Sequence, residues 1–266
     1  MFNFLHLELT SVCNKGDGTP GSGCFMCGRR KMEREHPELC DWGDMPLRMV
    51  GVIAEQTPPG TLVQLHNNGD PICYPHLDVA LPWFKHCIRQ FNTNGKLLLE
   101  KADEIINHLD ILTISVIQDD PEGDSQYGTV NKFIERKGHR APEIVYRLLG
   151  RVDNSERWEK LPGRIATRVL HNPDGSRDYH KPVTIPEHGI CLDLLTHLAI
   201  DRHGNISMCV RFDPKGDLRL GNINEMTLQE AWDSEKRQRY IKAHIQGKRA
   251  SCQGCDRCDF YGIAAS

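Results

Sequence analysis

The sequence predicts an α/β fold: a partial (β/α)6, TIM-like barrel over residues 1–186, then a small α+β module over residues 187–266 organised by metal. Three observations predict it. Apolar runs alternate with amphipathic stretches from the N-terminus to about residue 171, which implies parallel strands joined by right-handed crossovers. The alternation yields six units, too few for a closed eight-stranded barrel. After Pro186 the pattern changes, and the cysteines gather at the two ends of the chain, at 13, 24 and 27 and at 191, 209, 252, 255 and 258.

Strands are expected at Phe2–Leu9, Thr61–His66, Cys87–Thr93, Ile111–Ile117, Glu143–Leu149 and Arg164–His171. Between them, Asp44 is placed to cap a helix with Pro46 in its first turn and Leu47, Val50, Ile53 and Ala54 on one face. Leu77, Ala80, Leu81 and Phe84 share the face of a helix that Pro82 should kink or restart, and Leu98–Leu109 continues the pattern. In the module, Leu195–Ile200 and Asn205–Val210 flank Asp201-Arg202-His203-Gly204 as a β-hairpin. Thr227 with Glu230 signals a capping box opening a helix to about Ile245.

The chain has 266 residues with 33 Lys+Arg against 36 Asp+Glu, a net charge of −3, which argues against nucleic-acid binding driven by backbone electrostatics. No apolar run approaches the ~20 residues of a membrane span, and MFNFLHLELT lacks the basic start of a signal peptide, so a cytoplasmic protein is expected. Eleven cysteines, an odd number, in a chain of this size make a poor disulfide plan and point to metal or redox chemistry.

Cys13, Cys24 and Cys27 follow directly on the first strand, at the end of the sheet where ligands of such folds bind. Three thiolates leave one iron of a four-iron cluster open to a chelating small molecule, and the spacer NKGDGTPGSG can fold back to bring Cys13 beside Cys24. A zinc site or unrelated core thiols are the alternatives. Gly16-Asp17-Gly18-Thr19-Pro20-Gly21 satisfies G-x-G-x-x-G but runs into Cys24 rather than a helix, so it is not read as a phosphate loop.

These cysteines, with the motifs that follow, resemble the radical S-adenosylmethionine (radical SAM) superfamily, although its usual Cys-x3-Cys-x2-Cys is stretched here to ten residues in the first gap. Asn68-Gly69-Asp70-Pro71 resembles the family's Gly-Gly-Glu-Pro turn, which implies a seat for the methionine ammonium of SAM, a role suited to a carboxylate and carbonyls. A plain β–α turn is the alternative for the same residues. Phe91-Asn92-Thr93-Asn94-Gly95 resembles the family's third-strand ending, and Ser115 matches a position that often contacts the SAM ribose. Asn92, Ser115, Arg147 and Arg168 are thus cofactor candidates, the two arginines for the SAM carboxylate or a substrate anion. His66, Asn172 and Tyr179 are further pocket candidates.

Cys191, with twelve residues between it and Gly204 and four more between Gly204 and Cys209, resembles the opening of a SPASM/twitch extension. Gly221-Asn222-Ile223, the helix with Leu228 and Trp232, and Cys252-x2-Cys255-x2-Cys258 complete the pattern. The resemblance implies an auxiliary [4Fe–4S] cluster on Cys191, Cys209 and two of Cys252, Cys255 and Cys258, with Cys255 and Cys258, which lead into Asp259-Phe260-Tyr261-Gly262, slightly favoured. A structural zinc knuckle is the alternative.

The implied activity is that of a radical SAM oxidoreductase with one SAM-binding [4Fe–4S] cluster, a second auxiliary one, and a low-potential donor such as a flavodoxin or ferredoxin. Its expected substrate is a polar small molecule. Peptide modification is the second reading, disfavoured because the first strand starts near Met1 and leaves no room for a leader-binding domain, and a non-catalytic zinc protein is the third. Cys73, close after Pro71, is a candidate hydrogen-atom donor. Cys87 reads as a buried small apolar residue, and Cys40 is uninformative.

Overall fold

The computed structural model describes residues 2–16, 24, 27–168, 191–210, 213, 215–256 and 258. Asn172, Tyr179, most of the G-x-G-x-x-G stretch and Asp259–Gly262 lie outside them. The six expected strands form as β1 (Phe4–Leu7), β2 (Leu62–Gln64), β3 (Ile88–Thr93), β4 (Ile111–Ile117), β5 (Glu143–Leu149) and β6 (Arg164–Arg168). They pair in parallel in sequence order. Several are shorter than the apolar runs suggest, because residues such as Phe2, Leu9 and Leu65 are buried beyond the last ladder pair. The sheet stays open, with β6 at one edge.

The helices depart from the periodicity in four places. The chain before α2 (Leu47–Gln56) bridges back to the residues after β1: Thr10 pairs with Asp44, and Met45 N–H donates to the Leu9 carbonyl at 2.8 Å. Asp44 is therefore held extended, and Pro46, not Asp44, is the N-cap. Pro82 does not kink α3 (Leu77–Trp83), because the helix ends one residue beyond it. Of Leu98–Leu109 only α4 (Ala102–Ile105) is regular helix, the rest being turns that bury Leu98, Ile106 and Leu109. The helix opened by the Thr227–Glu230 capping box stops as α8 (Leu228–Trp232), and α9 (Glu235–Ile245) restarts after Asp233-Ser234.

The hairpin is the largest surprise. It forms as β7 (His197–Ile200) and β8 (Asn205–Ser207), with Gly204 at φ +80° closing its turn. Leu195 belongs instead to the short helix α7 (Leu192–Thr196). β7 pairs in parallel with β1, Phe4 opposite His197 and Leu7 opposite Ile200, so it is a seventh parallel strand. β8 and β9 (Arg219–Asn222) then continue antiparallel, giving the order β6-β5-β4-β3-β2-β1-β7-β8-β9.

Alternation along the strands sorts the sheet into two unlike faces. Leu5, Leu7, Val63, Phe91, Leu112, Ile114, Ile144 and Tyr146 point to the face that helices cover and form the main core. The other face carries His6, Gln64, Gln90, Asn92, Ser115 and Arg147. A polar face of this kind, walled by parallel strands, is where a ligand can be held. The C-terminal part shares the main core through Leu228, Ala231 and Trp232, whose ring lies 5.9 Å from that of Phe2. The Arg237 guanidinium caps the same indole at 3.3 Å and donates to the Trp232 and Leu194 carbonyls. Trp232→Ala should cost about 3–5 kcal/mol, the usual range for a buried aromatic. Urea denaturation under anaerobic conditions measures it.

Candidate functional site

The carboxyl ends of β1, β2 and β3 meet at one point, and a buried aspartate joins them. Asp70 Oδ1 accepts from Ile72 N–H at 3.2 Å, and Oδ2 accepts from Thr93 Oγ1 at 2.9 Å and from Asn94 N–H at 2.8 Å. Its own N–H donates to the Val12 carbonyl at 2.8 Å. Burial pushes the carboxyl above its ordinary range, against the pull of those three donors. Gly69 lies so close to the preceding loop that a Cβ would sit 2.2 Å from the Thr10 carbonyl oxygen and 2.6 Å from that of Val12. Only glycine lets the 68–71 turn touch the backbone leading to Cys13.

The long gap after Cys13 is closed by groups that the motif does not contain. Lys15, almost fully buried, pairs with Asp120 at 2.7 Å and Glu122 at 2.7 Å in the segment after β4. From α1 (Gly28–Glu35), Arg29 donates to the Ser11 carbonyl at 2.9 Å and Arg30 to the Lys15 carbonyl at 3.2 Å, tying the Cys27 side to the Cys13 side. Asn94 Nδ2 donates to Asn14 Oδ1 at 2.8 Å and lies 3.9 Å from Cys13 Sγ. Cys13, Cys24 and Cys27 are brought near enough to feel one another's charge. Burial first, then the charges of Asp70 and Cys27, raises the Cys13 thiol, and burial followed by repulsion from Cys27 and Cys13 pushes Cys24 up to about 12.

Such thiols ionise once a cationic group offsets their charge. Cys27 stands at the N-cap of α1. Three soft thiolates are the donor set that iron–sulfur clusters take. The residues present therefore fit such a group.

Ser115 and Arg147 are register partners on the concave face, and Arg168 stands one strand over, two residues further along. Gln126 donates to both the Asn94 and Ser115 carbonyls, joining the third and fourth strand ends. His66 and Asn92 share the concave face with them. Cys73 ends a 3-10 turn, Pro71–Cys73, beside Cys13 and Asp70, and burial pushes its thiol up to about 12, so it keeps its proton. Cys87 is buried in the core, as expected, and its thiol reaches the Pro58 carbonyl. The half-buried Cys40 reaches the His36 carbonyl.

Sequence reasoning missed Glu8, Lys15, Arg29, Arg30 and Gln126. Glu8, an acidic residue inside an apolar strand run, was the one with a visible signal. Its Oε1 accepts from Asn68 N–H and its Oε2 from Arg202 N–H, both at 3.1 Å. Burial raises this carboxyl too.

In the C-terminal part, Cys191 caps α7, Cys209 follows β8, and Cys252, Cys255 and Cys258 follow α9. Cys191, Cys255 and Cys258 lie within electrostatic reach of one another. Cys252 is 3% exposed within an apolar cluster of Leu194, Met208, Leu218 and Tyr240, against which Cys191, Cys209 and Cys255 also pack. Burial pushes Cys255 up to about 12. Arg249 donates to the Cys255 and Cys258 carbonyls, and His244 accepts from Cys191 N–H at 3.3 Å. Among the described residues no three His, Cys, Asp or Glu side chains form a cage for a single metal ion.

Residues 191–259 match the model of the SPASM family, an iron–sulfur cluster-binding domain. The chain is an enzyme with an iron–sulfur SPASM domain, and along its length it is similar to radical SAM enzymes. The S-adenosyl-L-methionine-dependent 2-deoxy-scyllo-inosamine dehydrogenase of Niallia circulans is 21% identical to it, over 97% of this chain and 93% of that protein. Among solved structures, BtrN in complex with AdoMet and 2-DOIA superposes with a TM-score of 0.58 at 16% identity, covering 97% of this chain and 93% of BtrN. Streptococcus suis SuiB bound to S-adenosylmethionine gives 0.62 at 15% identity, covering 97% of this chain and 72% of SuiB. Native anSMEcpe with bound AdoMet and Cp18Cys peptide gives 0.57 at 12% identity, covering 99% of this chain and 91% of that one.

The closeness of Gly69 to the Cys13 loop is testable. Gly69→Ala should push the turn off the Thr10 and Val12 carbonyls and lower the iron bound at the first cysteine trio by at least half. The C-terminal iron should be untouched. Iron content per chain after anaerobic reconstitution measures both.

Proposed function

We propose that the chain oxidises a polar small molecule, with residues 1–186 as the radical SAM barrel and 187–266 as the auxiliary-cluster domain. The observation that carries the proposal is the gathering of Cys13, Cys24 and Cys27 beside the Asn68–Pro71 turn at the ends of β1, β2 and β3. Similarity to a SAM-dependent dehydrogenase along nearly the whole chain supports it. When bound, two [4Fe–4S] clusters and SAM supply the chemistry: a 5′-deoxyadenosyl radical that takes a hydrogen atom from an unreactive C–H bond, and an acceptor for the electron left behind.

The protein's part is placement. Cys13, Cys24 and Cys27 would hold one cluster. Carbonyls of the 68–71 turn offer acceptors for the SAM ammonium, while Asp70, its oxygens already committed to Ile72, Thr93 and Asn94, keeps that turn in position. Ser115 takes a ribose hydroxyl, and Arg147 with Arg168 takes the carboxylate. Cys191, Cys209 and two of Cys252, Cys255 and Cys258 hold the auxiliary cluster. A cytoplasmic flavodoxin or ferredoxin supplies the first electron. Among the described residues no helix is long and apolar enough to cross a membrane.

Peptide modification is the second reading, favoured by the peptide bound to anSMEcpe. There the protonated Cys73 thiol, beside Cys13, would return a hydrogen atom to the substrate radical, its S–H bond breaking as the C–H bond forms. The thiyl radical left would be restored by one electron from the low-potential donor and one proton from solvent.

Anaerobically reconstituted protein should carry about eight irons. Changing Cys13, Cys24 and Cys27 to Ala should abolish reductive SAM cleavage and leave about four. Cleavage that persists in that variant would show the first trio is not the SAM site. Replacing Cys191 and Cys209 should preserve part of the 5′-deoxyadenosine formation but stop net oxidation. Normal turnover there would remove the auxiliary cluster from electron acceptance. Deuterium transfer from candidate alcohols or peptides into 5′-deoxyadenosine separates the two substrate classes.

A further inference from the structure

Two buried polar atoms on the concave face are left unanswered by every contact described so far. Gln64 lies opposite Gln90 in the β2–β3 register, and Leu65 N–H donates to the Gln90 carbonyl, so the residues two further on, His66 and Asn92, are neighbours on the same face. His66 Nδ1 and Asn92 Oδ1 are both buried with no hydrogen-bond partner. Asn92 is only 9% exposed. An unsatisfied buried group costs about 1–3 kcal/mol, so a pair of them side by side is a prepared place for a ligand.

The chemistry of the two atoms narrows what fits. Gln90 Nε2 donates to Gln64 Oε1 at 2.7 Å, which turns the Gln64 amide nitrogen toward His66 Nε2 at 3.4 Å. With Nε2 accepting, the single proton of a neutral imidazole sits on Nδ1. The ring is neutral, because burial and the nearby Arg147 charge lower its pKa to about 3. The face thus offers one N–H donor beside one carbonyl acceptor. A carboxylate would satisfy the imidazole and repel the Asn92 carbonyl. An ammonium would satisfy Asn92 and oppose the imidazole N–H. A hydroxyl group donates and accepts at once.

We propose that His66 and Asn92 form a hydroxyl-recognition pair for the substrate, which is therefore a hydroxylated small molecule. The inference rests on the oxidoreductase reading and sharpens its substrate class. It also moves Asn92 from the cofactor to the substrate, whose reacting carbon would lie beside the hydroxyl gripped here. The SAM ribose carries the same chemistry, as does a water molecule, and the experiment separates these sources.

The test is saturation-transfer NMR on anaerobically reconstituted full-length protein with SAM present, using myo-inositol as the neutral hydroxylated probe. Cyclohexanecarboxylate and cyclohexylamine serve as charged controls of similar shape. Saturable inositol binding at least tenfold tighter than either control is expected. It should weaken tenfold or more in His66→Phe and in Asn92→Leu, while His66→Gln, which keeps an N–H donor, recovers it to within about threefold of wild type. SAM affinity, measured by calorimetry on the same samples, should change less than twofold.

Tighter binding of either charged control overturns the proposal, and so does no inositol binding, which would leave only water in the pair. Loss of SAM affinity in step with inositol would assign the pair to the ribose and overturn it as well. Should His66→Phe or Asn92→Leu fail to fold, the wild-type ranking of the three probes and the His66→Gln affinity decide alone. Absence of 5′-deoxyadenosine formation by the wild type would instead remove the radical reading, a separate outcome from any of these.

Discussion

A single buried carboxylate sets the geometry on which the site depends. Asp70 faces a desolvation cost that only hydrogen bonds can offset, and the donors that do so come from the turn after β2 and the end of β3. Its backbone N–H adds the chain beyond β1. Three strand ends that could otherwise vary independently therefore share one anchor. The Gly69 contact then fixes the distance, since no side chain can stand between the turn and the Thr10 and Val12 carbonyls. Cys13 follows immediately, so its position derives from the same anchor.

Glu8 repeats this logic one layer outward and joins the two halves of the chain. Its oxygens hold the Asn68 amide on one side and the Arg202 amide of the β7–β8 turn on the other. Arg202 in turn reaches the Asp41 carbonyl and carboxylate. β1 is flanked by β2 and β7 in the same sheet. The segment carrying Cys191 and Cys209 is thus built onto the strand that leads to Cys13, rather than tethered beside it. A shift of one cysteine group against the other would have to break sheet pairing as well as buried charge.

Much of this was legible in the residues, and what was not has definite causes. Strand order and parallel direction follow from apolar runs separated by crossovers, and the cysteine groups follow from spacing. The seventh strand was hidden because a hairpin pattern says nothing of which sheet edge it will join. Asp44 has the side chain of a helix cap, yet the Thr10 bridge claims its backbone first. The break at Asp233-Ser234 is invisible to periodicity because apolar positions continue on both sides of it. The closing of the long cysteine gap depends on Lys15 meeting Asp120 and Glu122, a pairing across more than a hundred residues that no local pattern encodes.

The two faces of the sheet divide stability from recognition. Behind it, buried Leu, Ile, Val and Phe side chains need nothing but close packing, and they outnumber the polar groups of the concave face many times over. That surplus is what lets the concave face leave hydrogen bonds unmade: a large core tolerates a local deficit of a few kcal/mol that a small domain could not. Filling the concave face with apolar residues would remove the deficit and leave nothing able to orient a polar ligand. The unsatisfied His66 and Asn92 atoms fit that exchange, being placed where strand alternation turns side chains away from the core.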